Sequence, residues 1–187
     1  ELAYDKVTGA TMQGGTLAGG VAAENAGSIL SCTVRGRIVS ANGAAGGVAG
    51  ENLSGGKIAY AFVAANVSAR TAAGGVAGRS GGSVAYCEVG TASKKETGEV
   101  TGTPYFGARY PNDSYTYRFP DSRYAVSNDA FNIEAVTGTP NNAAGGIVGV
   151  IPAKTGHIIG CVNAAQVNAR GGAAGGILGR SENAAQT

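Results

Sequence analysis

The sequence predicts an all-β fold, a right-handed parallel β-solenoid (β-helix) of about five coils with a Tyr-rich insertion. Three observations predict it: a repeated Gly-rich block, β-branched residues at the repeated apolar positions, and columns of shared chemistry between aligned blocks. The block Ala-Ala-Gly-Gly-[Val/Ile] begins at residues 44, 72, 143 and 173, with a looser copy at 17. Self-similarity at a period of about 20–50 residues is typical of stacked repeat architectures.

The spacing of the blocks gives the length of a coil and the place of the insertion. The first Gly of each pair marks the period, at Gly19, Gly46, Gly74, Gly145 and Gly175. The spacings are 27, 28, 71 and 30 residues, so one coil carries a large insertion or two coils have diverged. A coil of about 28 residues has room for about three short strands plus corners, at roughly 3.3 Å per strand residue.

A second block completes the repeat and gives it a chemical pattern. It begins at Ile29, Ile58, Val84 and Ile158. Three residues later the column holds Cys32, Ala61, Cys87 and Cys161. Parallel stacking puts equivalent residues of successive coils above one another, which explains why whole columns share chemistry. β-Branched residues favour strands, and Gly would cost about 1 kcal/mol at each helix position.

The alternative to a solenoid is a Gly- and Ala-rich segment without a fixed fold. Gly is 33 of 187 residues, which favours that alternative. The hydrophobic fraction of 43% and the columns favour a folded chain, because disordered segments lack apolar residues to bury. We therefore interpret residues 1–187 as a single solenoid domain.

Charge and hydropathy exclude two classes of partner. The net charge of +2, with 14% charged residues, lacks the clustered basic face expected of a nucleic-acid-binding protein. No apolar run approaches the about 20 residues needed to span a bilayer. The chain begins at Glu1, and its last repeat ends soon after Arg180. We expect a processed chain or a piece of a longer protein, with further coils or another subunit covering the end.

Residues 94–142 interrupt the repeat and are predicted to be an inserted aromatic-rich excursion from the third coil. The segment at residues 100–104 recurs at 136–140, and we interpret the two as exit and return strands. Tyr and Arg are typical binding anchors, so the excursion is a candidate recognition surface. A satellite core over one side of the solenoid is the structural alternative. The candidate binding residues are Tyr105, Phe106, Arg109, Tyr110, Tyr115, Tyr117, Arg118, Arg123 and Tyr124.

Metal sites are not predicted. The acidic residues Asp113, Asp121, Asp129 and Glu134 match no Ca²⁺-binding loop and are better explained as turn residues. The Cys column suits small buried side chains. Cys87 and Cys161 lie in successive coils about 4.8 Å apart if the insertion loops out, which leaves a disulfide open, although in-register side chains that point the same way fit disulfide geometry poorly.

Catalytic motifs are weak in this sequence. His157 is the only histidine and shares a column with Ser28, Lys57 and Ser83, which indicates a surface turn residue. Glu51 stacked on Arg79 predicts a surface ion pair rather than an acid/base pair. The Gly-Gly-Val-Ala-Gly block lacks the Lys-Ser/Thr ending of a phosphate loop, so we predict no catalytic residue and no cofactor.

The columns resemble the GLUG repeat, named for its Gly-Leu-hydrophobic-Gly core. The resemblance covers about residues 17–90 and 136–183, and the stretch at 29–36 also fits it. It implies a bacterial secreted or surface β-solenoid, as in adhesins and the non-catalytic parts of immunoglobulin A1-cleaving metallopeptidases, and it carries no catalytic residue. The matching cores are Gly46–Gly50, Gly74–Gly78, Gly145–Gly149 and Gly175–Gly179.

We therefore expect a non-enzymatic extracellular structural or adhesive module of a bacterial surface or secreted protein. Its expected partners are a host or neighbouring-cell surface protein or glycan, or other copies of itself through the solenoid ends. The alternative is a carbohydrate-active or carbohydrate-binding β-helix with the insertion as a cleft wall.

Overall fold

A computed structural model describes residues 2–3, 5–90, 132–136, 141–152 and 155–182 of the chain. Every regular element in these ranges is a β-strand, and the strands form five stacked layers. The first layer holds β1 (Leu2–Ala3), β2 (Lys6–Gly14), β3 (Leu17–Gly19) and β4 (Ala22–Asn25). The second holds β5 (Ser28–Leu30), β6 (Thr33–Ser40), β7 (Ala44–Gly46) and β8 (Ala49–Asn52). The third holds β9 (Lys57–Ala59), β10 (Phe62–Ala69), β11 (Ala72–Gly74) and β12 (Ala77–Ser80).

The fourth and fifth layers contain five strands each. The fourth layer holds β13 (Ser83–Ala85), β14 (Glu88–Val89), β15 (Asn132–Ala135), β16 (Ala143–Gly145) and β17 (Val148–Pro152). The fifth holds β18 (His157–Ile159), β19 (Val162–Asn163), β20 (Gln166–Ala169), β21 (Ala173–Gly175) and β22 (Leu178–Glu182).

Equivalent strands of successive layers pair in parallel and build four sheets. Sheet A is β1-β5-β9-β13-β18, sheet C is β3-β7-β11-β16-β21 and sheet D is β4-β8-β12-β17-β22. Sheet B stacks β2, β6 and β10, and then the pairs β14/β15 and β19/β20. The predicted parallel β-solenoid is therefore confirmed. The path from the first layer to the fifth makes about four full turns, slightly fewer than the about five coils predicted.

The sequence columns match the register of the sheets. Ser28, Lys57, Ser83 and His157 are neighbours in sheet A, as are the apolar residues that follow them. The estimate of three strands per coil was wrong, because each layer uses four sheets. The sheet A, C and D strands of the first three layers are only two to four residues long, so a coil of the observed length has room for a fourth side.

The interior is narrow and filled by columns of small and β-branched side chains. Ile29, Val34, Ile58 and Val63 are at most 1% exposed, and Cys32 and Ala61 lie in the same core. The Gly pair of the repeat forms the corner between sheets C and D. A Cβ on Gly75 would collide with the carbonyl oxygen of Gly146, so only glycine permits this approach of successive layers.

A buried polar ladder closes the corner between sheets D and A. The Asn25 side-chain amide donates to Asn52 Oδ1 at 2.8 Å, and the Asn52 amide donates to Ser80 Oγ at 3.0 Å. Asn52 is 0% exposed. Because these side chains also donate to backbone carbonyls at this corner, the polar column satisfies part of its backbone.

Candidate functional site at the interrupted rung

The residues predicted to bind a partner are outside the part of the chain that the structure describes. These are Tyr105, Phe106, Arg109, Tyr110, Tyr115, Tyr117, Arg118, Arg123 and Tyr124. The described strands that flank this stretch of sequence are β14, which Gly90 follows, and β15, which begins at Asn132. The candidate site is therefore the part of sheet B that residues 91–131 interrupt. We call the contribution of one layer to sheet B a rung.

Residues 91–131 are inserted at a single position of sheet B. In the third layer β10 is continuous, and Val63 and Val67 are separated by three residues. In the fourth layer Val89 pairs with Val63 and Ile133 pairs with Val67. Gly90 and Asn132 fill two of the three intervening positions, so residues 91–131 stand where Ala65 alone stands in β10.

The rung is completed on both sides of the interruption. Ile133 and Val89 are both 0% exposed and belong to the main core. In the fifth layer Asn163 pairs with Val89 and Val167 pairs with Ile133, and only Ala164–Gln166 separate them. The solenoid therefore keeps its register through the interruption and resumes in the same rung.

β15 is the element that sequence reasoning missed. It lies inside the interval 94–142, yet it pairs with β10 and β20 in sheet B. A weak signal was present, because Asn132-Ile-Glu-Ala135 has the same apolar-x-Ala pattern as residues 66–69 and 166–169. Of the predicted exit and return strands, residues 100–104 and 137–140 lie outside the described ranges. Val136 directly follows β15 and is 37% exposed.

An aromatic pair lies at the corner that leads into the interrupted rung. The rings of Tyr60 and Tyr86 are stacked, with centroids 5.6 Å apart and planes 13° from parallel. Both residues have positive φ angles, 58° and 54°, as do Ser31 and Gly160 in the same column. Glycine adopts this conformation without strain, whereas a tyrosine there is an outlier that surrounding structure must stabilise.

Charged groups accompany the aromatic side chains at this corner. The Arg35 guanidinium carbon lies 5.4 Å from the centre of the Phe62 ring, within the range of a cation–π contact. Glu88 is the neighbour of Phe62 in the next layer. Partial burial raises the pKa of the Glu88 carboxyl, because it disfavours the charged form. The corner thus presents two tyrosines, an arginine and a carboxyl beside the point where the chain leaves the sheet.

The Cys column lies on the inner side of this corner. Cys32, Cys87 and Cys161 are free thiols, and the disulfide left open by the sequence is not formed. The Cys87 backbone N–H donates to Cys161 Sγ at 3.4 Å, which places the two residues against each other. Burial raises the pKa of Cys87 well above its usual range and that of Cys32 to about 12. The hydrogen bond with the Cys87 thiol lowers the pKa of Cys161.

The remaining polar candidates are surface groups. Arg79 Nε lies 3.8 Å from Glu51 Oε1, which confirms the predicted ion pair, and Arg79 also approaches Glu182 at 3.8 Å. His157 is exposed as the first residue of β18. Within the described ranges, three or more His, Cys, Asp or Glu residues nowhere converge as a metal site would require.

Comparisons with known proteins give no match to a family model, a curated protein or a solved structure. Within the described residues, no helix has the length and hydropathy to cross a membrane. The function of this chain is therefore inferred from its own sequence and geometry.

Proposed function

We propose that this chain is a non-enzymatic extracellular structural and adhesive module, in which a β-solenoid holds the segment at residues 91–131 for contact with a partner. The observation that carries the proposal is the register of sheet B. A stretch of 41 residues replaces one residue of a rung, and the layers before and after it remain paired. Long insertions between fixed elements commonly carry function.

The composition of the segment supports a binding role. It holds eight of the chain's twelve aromatic residues, together with Arg109, Arg118 and Arg123. Tyr and Arg are enriched among residues that dominate binding energy. The GLUG resemblance adds the bacterial surface or secreted context, in which a host or neighbouring-cell protein or glycan is the proposed partner.

Association through the solenoid ends is a second part of the proposal. Val162 and Ile177, in the fifth layer, are 43% and 40% exposed, and Ile159 is 49% exposed. Exposed strand edges with apolar side chains favour pairing with a further layer. A light-scattering series over concentration tests this part, and a strict monomer at every concentration would contradict it.

A carbohydrate-binding or carbohydrate-active β-helix is the alternative, and the stacked Tyr60–Tyr86 pair favours it. Flat aromatic faces at a surface corner are suited to sugar rings. If this alternative is correct, Tyr60→Ser or Tyr86→Ser removes binding to a glycan panel, or the intact chain cleaves a glycan. Turnover of any glycan would also contradict the non-enzymatic role.

The main proposal is tested by binding of the labelled chain to intact cells and to glycan and surface-protein panels. The test variant carries Tyr115→Ser and Tyr117→Ser. The matched control carries Ser114→Ala and Thr116→Ala, which change the same stretch without removing an aromatic ring. We expect the first variant to lose at least tenfold in affinity and the control to bind like the parent chain. Equal binding by both variants would exclude this stretch as the contact surface.

A further inference from the structure

Two cysteines lie in one column of adjacent layers, one before and one after the insertion in the sequence. Ala85 pairs with Ile159 and Glu88 pairs with Val162, so Cys87 and Cys161 occupy equivalent positions of adjacent layers. Parallel strands stack about 4.8 Å apart, and disulfides join Cα atoms that are 4.4–6.8 Å apart. The separation of the two backbones therefore suits a bond between these residues.

The local conformation sets the Cys161 thiol against the Cys87 backbone. Both cysteines lie in the link between sheets A and B, each after a residue with positive φ, Tyr86 or Gly160. Cys161 Sγ turns back towards the fourth layer, 3.4 Å from the Cys87 nitrogen and 3.8 Å from the Val84 oxygen. The Cys87 thiol turns in the same sense, towards the Ala85 and Ile58 oxygens at 3.3 and 4.0 Å, so a bond to Cys161 requires rotation of the Cys87 side chain.

The two thiols differ in access and acidity. Cys87 is 0% exposed, whereas Cys161 is partly exposed. The hydrogen bond with Cys87 lowers the pKa of Cys161, while burial raises that of Cys87. A partly exposed thiol of lowered pKa beside a buried partner is the usual arrangement of an attacking and a resolving cysteine.

We propose that Cys87 and Cys161 form a reversible disulfide that joins the fourth and fifth layers. The bond closes a covalent loop of the chain that includes residues 91–131. The oxidant is a small-molecule disulfide, RSSR. The Cys161 thiolate attacks one sulfur of RSSR, the S–S bond breaks, and one RS⁻ leaves and takes up a proton. The Cys87 thiol gives up its proton as its sulfur attacks Cys161 Sγ, and the second RS⁻ leaves and takes up that proton, so two protein thiols and RSSR give one protein disulfide and two RSH.

Cys32 is an internal control for this chemistry. It lies in the same column but is separated from Cys87 by Ala61 in the intervening layer, and it is 1% exposed. Burial raises its pKa to about 12, and its neighbour in the third layer is Ala61, which has no thiol to bond with. Ala61 also shows that the column accepts alanine, so Cys→Ala variants have a precedent within the fold.

The test treats the folded full chain with oxidised glutathione, denatures it in iodoacetamide and maps tryptic peptides by mass spectrometry. The three cysteines fall in separate tryptic peptides, 7–35, 80–94 and 155–170. We expect a bridge between 80–94 and 155–170, alkylation of Cys32 alone, and, after denaturation, the mass of a single chain without intermolecular disulfides. Alkylation of both Cys87 and Cys161, a bridge that includes Cys32, or a bridge formed only after unfolding would overturn the proposal.

Two variants and a stability measurement assign the roles. Cys87→Ala is expected to trap glutathione on Cys161, and Cys161→Ala to leave Cys87 unmodified. Oxidation is expected to raise the thermal midpoint of the parent chain by about 5 °C or more, because the bridge closes a long loop. The Cys32→Ala variant should keep this shift, and Cys161→Ala should lose it. A thermal midpoint of the oxidised chain at or below that of the reduced chain would contradict stabilisation by the disulfide.

Discussion

The strand β10 and its split counterpart, β14 with β15, occupy the same place in adjacent layers but are built differently. β10 is one strand of eight residues, whereas its counterpart is two short strands separated in sequence by residues 91–131. Both place a Val or Ile in the same inward columns, at Val63 and Val67 or at Val89 and Ile133, each at most 1% exposed. A rung of this solenoid is therefore specified by column positions, and unbroken connectivity along the chain is not required.

The largest effect is expected at the corner between sheets C and D. There, equivalent glycines lie against the layer that contains the continuous strand β10 and against the layer that contains the split pair β14 and β15. A Cβ on Gly47 would strike the Gly75 carbonyl oxygen and Val63, and one on Gly75 would strike the Gly146 carbonyl oxygen and Val89. Gly47→Ala and Gly75→Ala should each cost about 4 kcal/mol or more in the free energy of unfolding, measured by denaturant titration. Gly176→Ala, in the same column with nothing within 4 Å, is the control and should be near neutral. A cost at Gly47 without one at Gly75 would mean that the split layer is loosely packed.

Two isoleucines in one column allow the core packing of a continuous strand, β6, to be compared with that of the split rung at β15. Ile38 in β6 and Ile133 in β15 lie in one column and are both 0% exposed. Ile38→Ala and Ile133→Ala should each cost about 3 kcal/mol, because each leaves a cavity in the same packed interior. Ile159→Ala, at a site that is 49% exposed, is the control. A cost at Ile133 as small as at Ile159 would remove β15 from the core.

The buried polar ladder is present in the layers before the insertion, and its column is not continued by asparagine in the layers after it. Its contribution to the free energy of unfolding can be measured by substitution. The column runs Asn25, Asn52 and Ser80 before the insertion and holds Ile151 and Ser181 after it. Asn52→Ala should cost about 2 kcal/mol in thermal or chemical unfolding, because it leaves buried partners without hydrogen bonds. Asn168→Ala, on an exposed position of β20, should change stability by less than about 0.5 kcal/mol. Equal effects of the two changes would show that the ladder is not a stabilising feature.

A smaller, pH-dependent effect is expected from Glu88, beside the point of interruption. Burial raises its pKa in the folded chain, so the protonated form favours folding and its contribution is lost as pH rises through the raised value. Glu88→Gln should therefore gain stability relative to the parent chain when pH is raised from 4 to 7. The exposed Glu24→Gln is the control for removal of a negative charge. A parent chain that loses no stability relative to Glu88→Gln over this range would contradict the burial of Glu88.

The sequence predicted the solenoid and most of its register because each column repeats a side-chain type. The apolar and polar columns of sheet A and the Gly column of sheet C emerged in this way, and so did the Glu51–Arg79 pair. The number of sides was not predictable from a period of about 28 residues, since strand lengths were unknown. β15 was missed because its four residues follow a long non-repeating stretch.

The candidate site was predictable only in part. The jump in spacing located the interruption to within one coil, but only pairing with β10 reduces it to one position. The Tyr60–Tyr86 stack was also missed, although Ala-Tyr-[Ala/Cys] occurs at both 59–61 and 85–87. Its positive φ angles depend on the corner geometry, which a repeat pattern does not reveal. The predicted binding residues between 105 and 124 lie outside the described residues, so their role stays a prediction.

The central claim is that residues 91–131 replace a single residue of a complete rung. The most direct test replaces them by one alanine between Gly90 and Asn132 and measures thermal unfolding together with hydrogen exchange of β15. We expect the same all-β circular dichroism spectrum, protected β15 amides, and a thermal midpoint equal to or above that of the parent chain, because a shorter connection lowers the entropy cost of closure. A shortened chain that fails to fold, or one that folds with unprotected β15 amides, would contradict the claim.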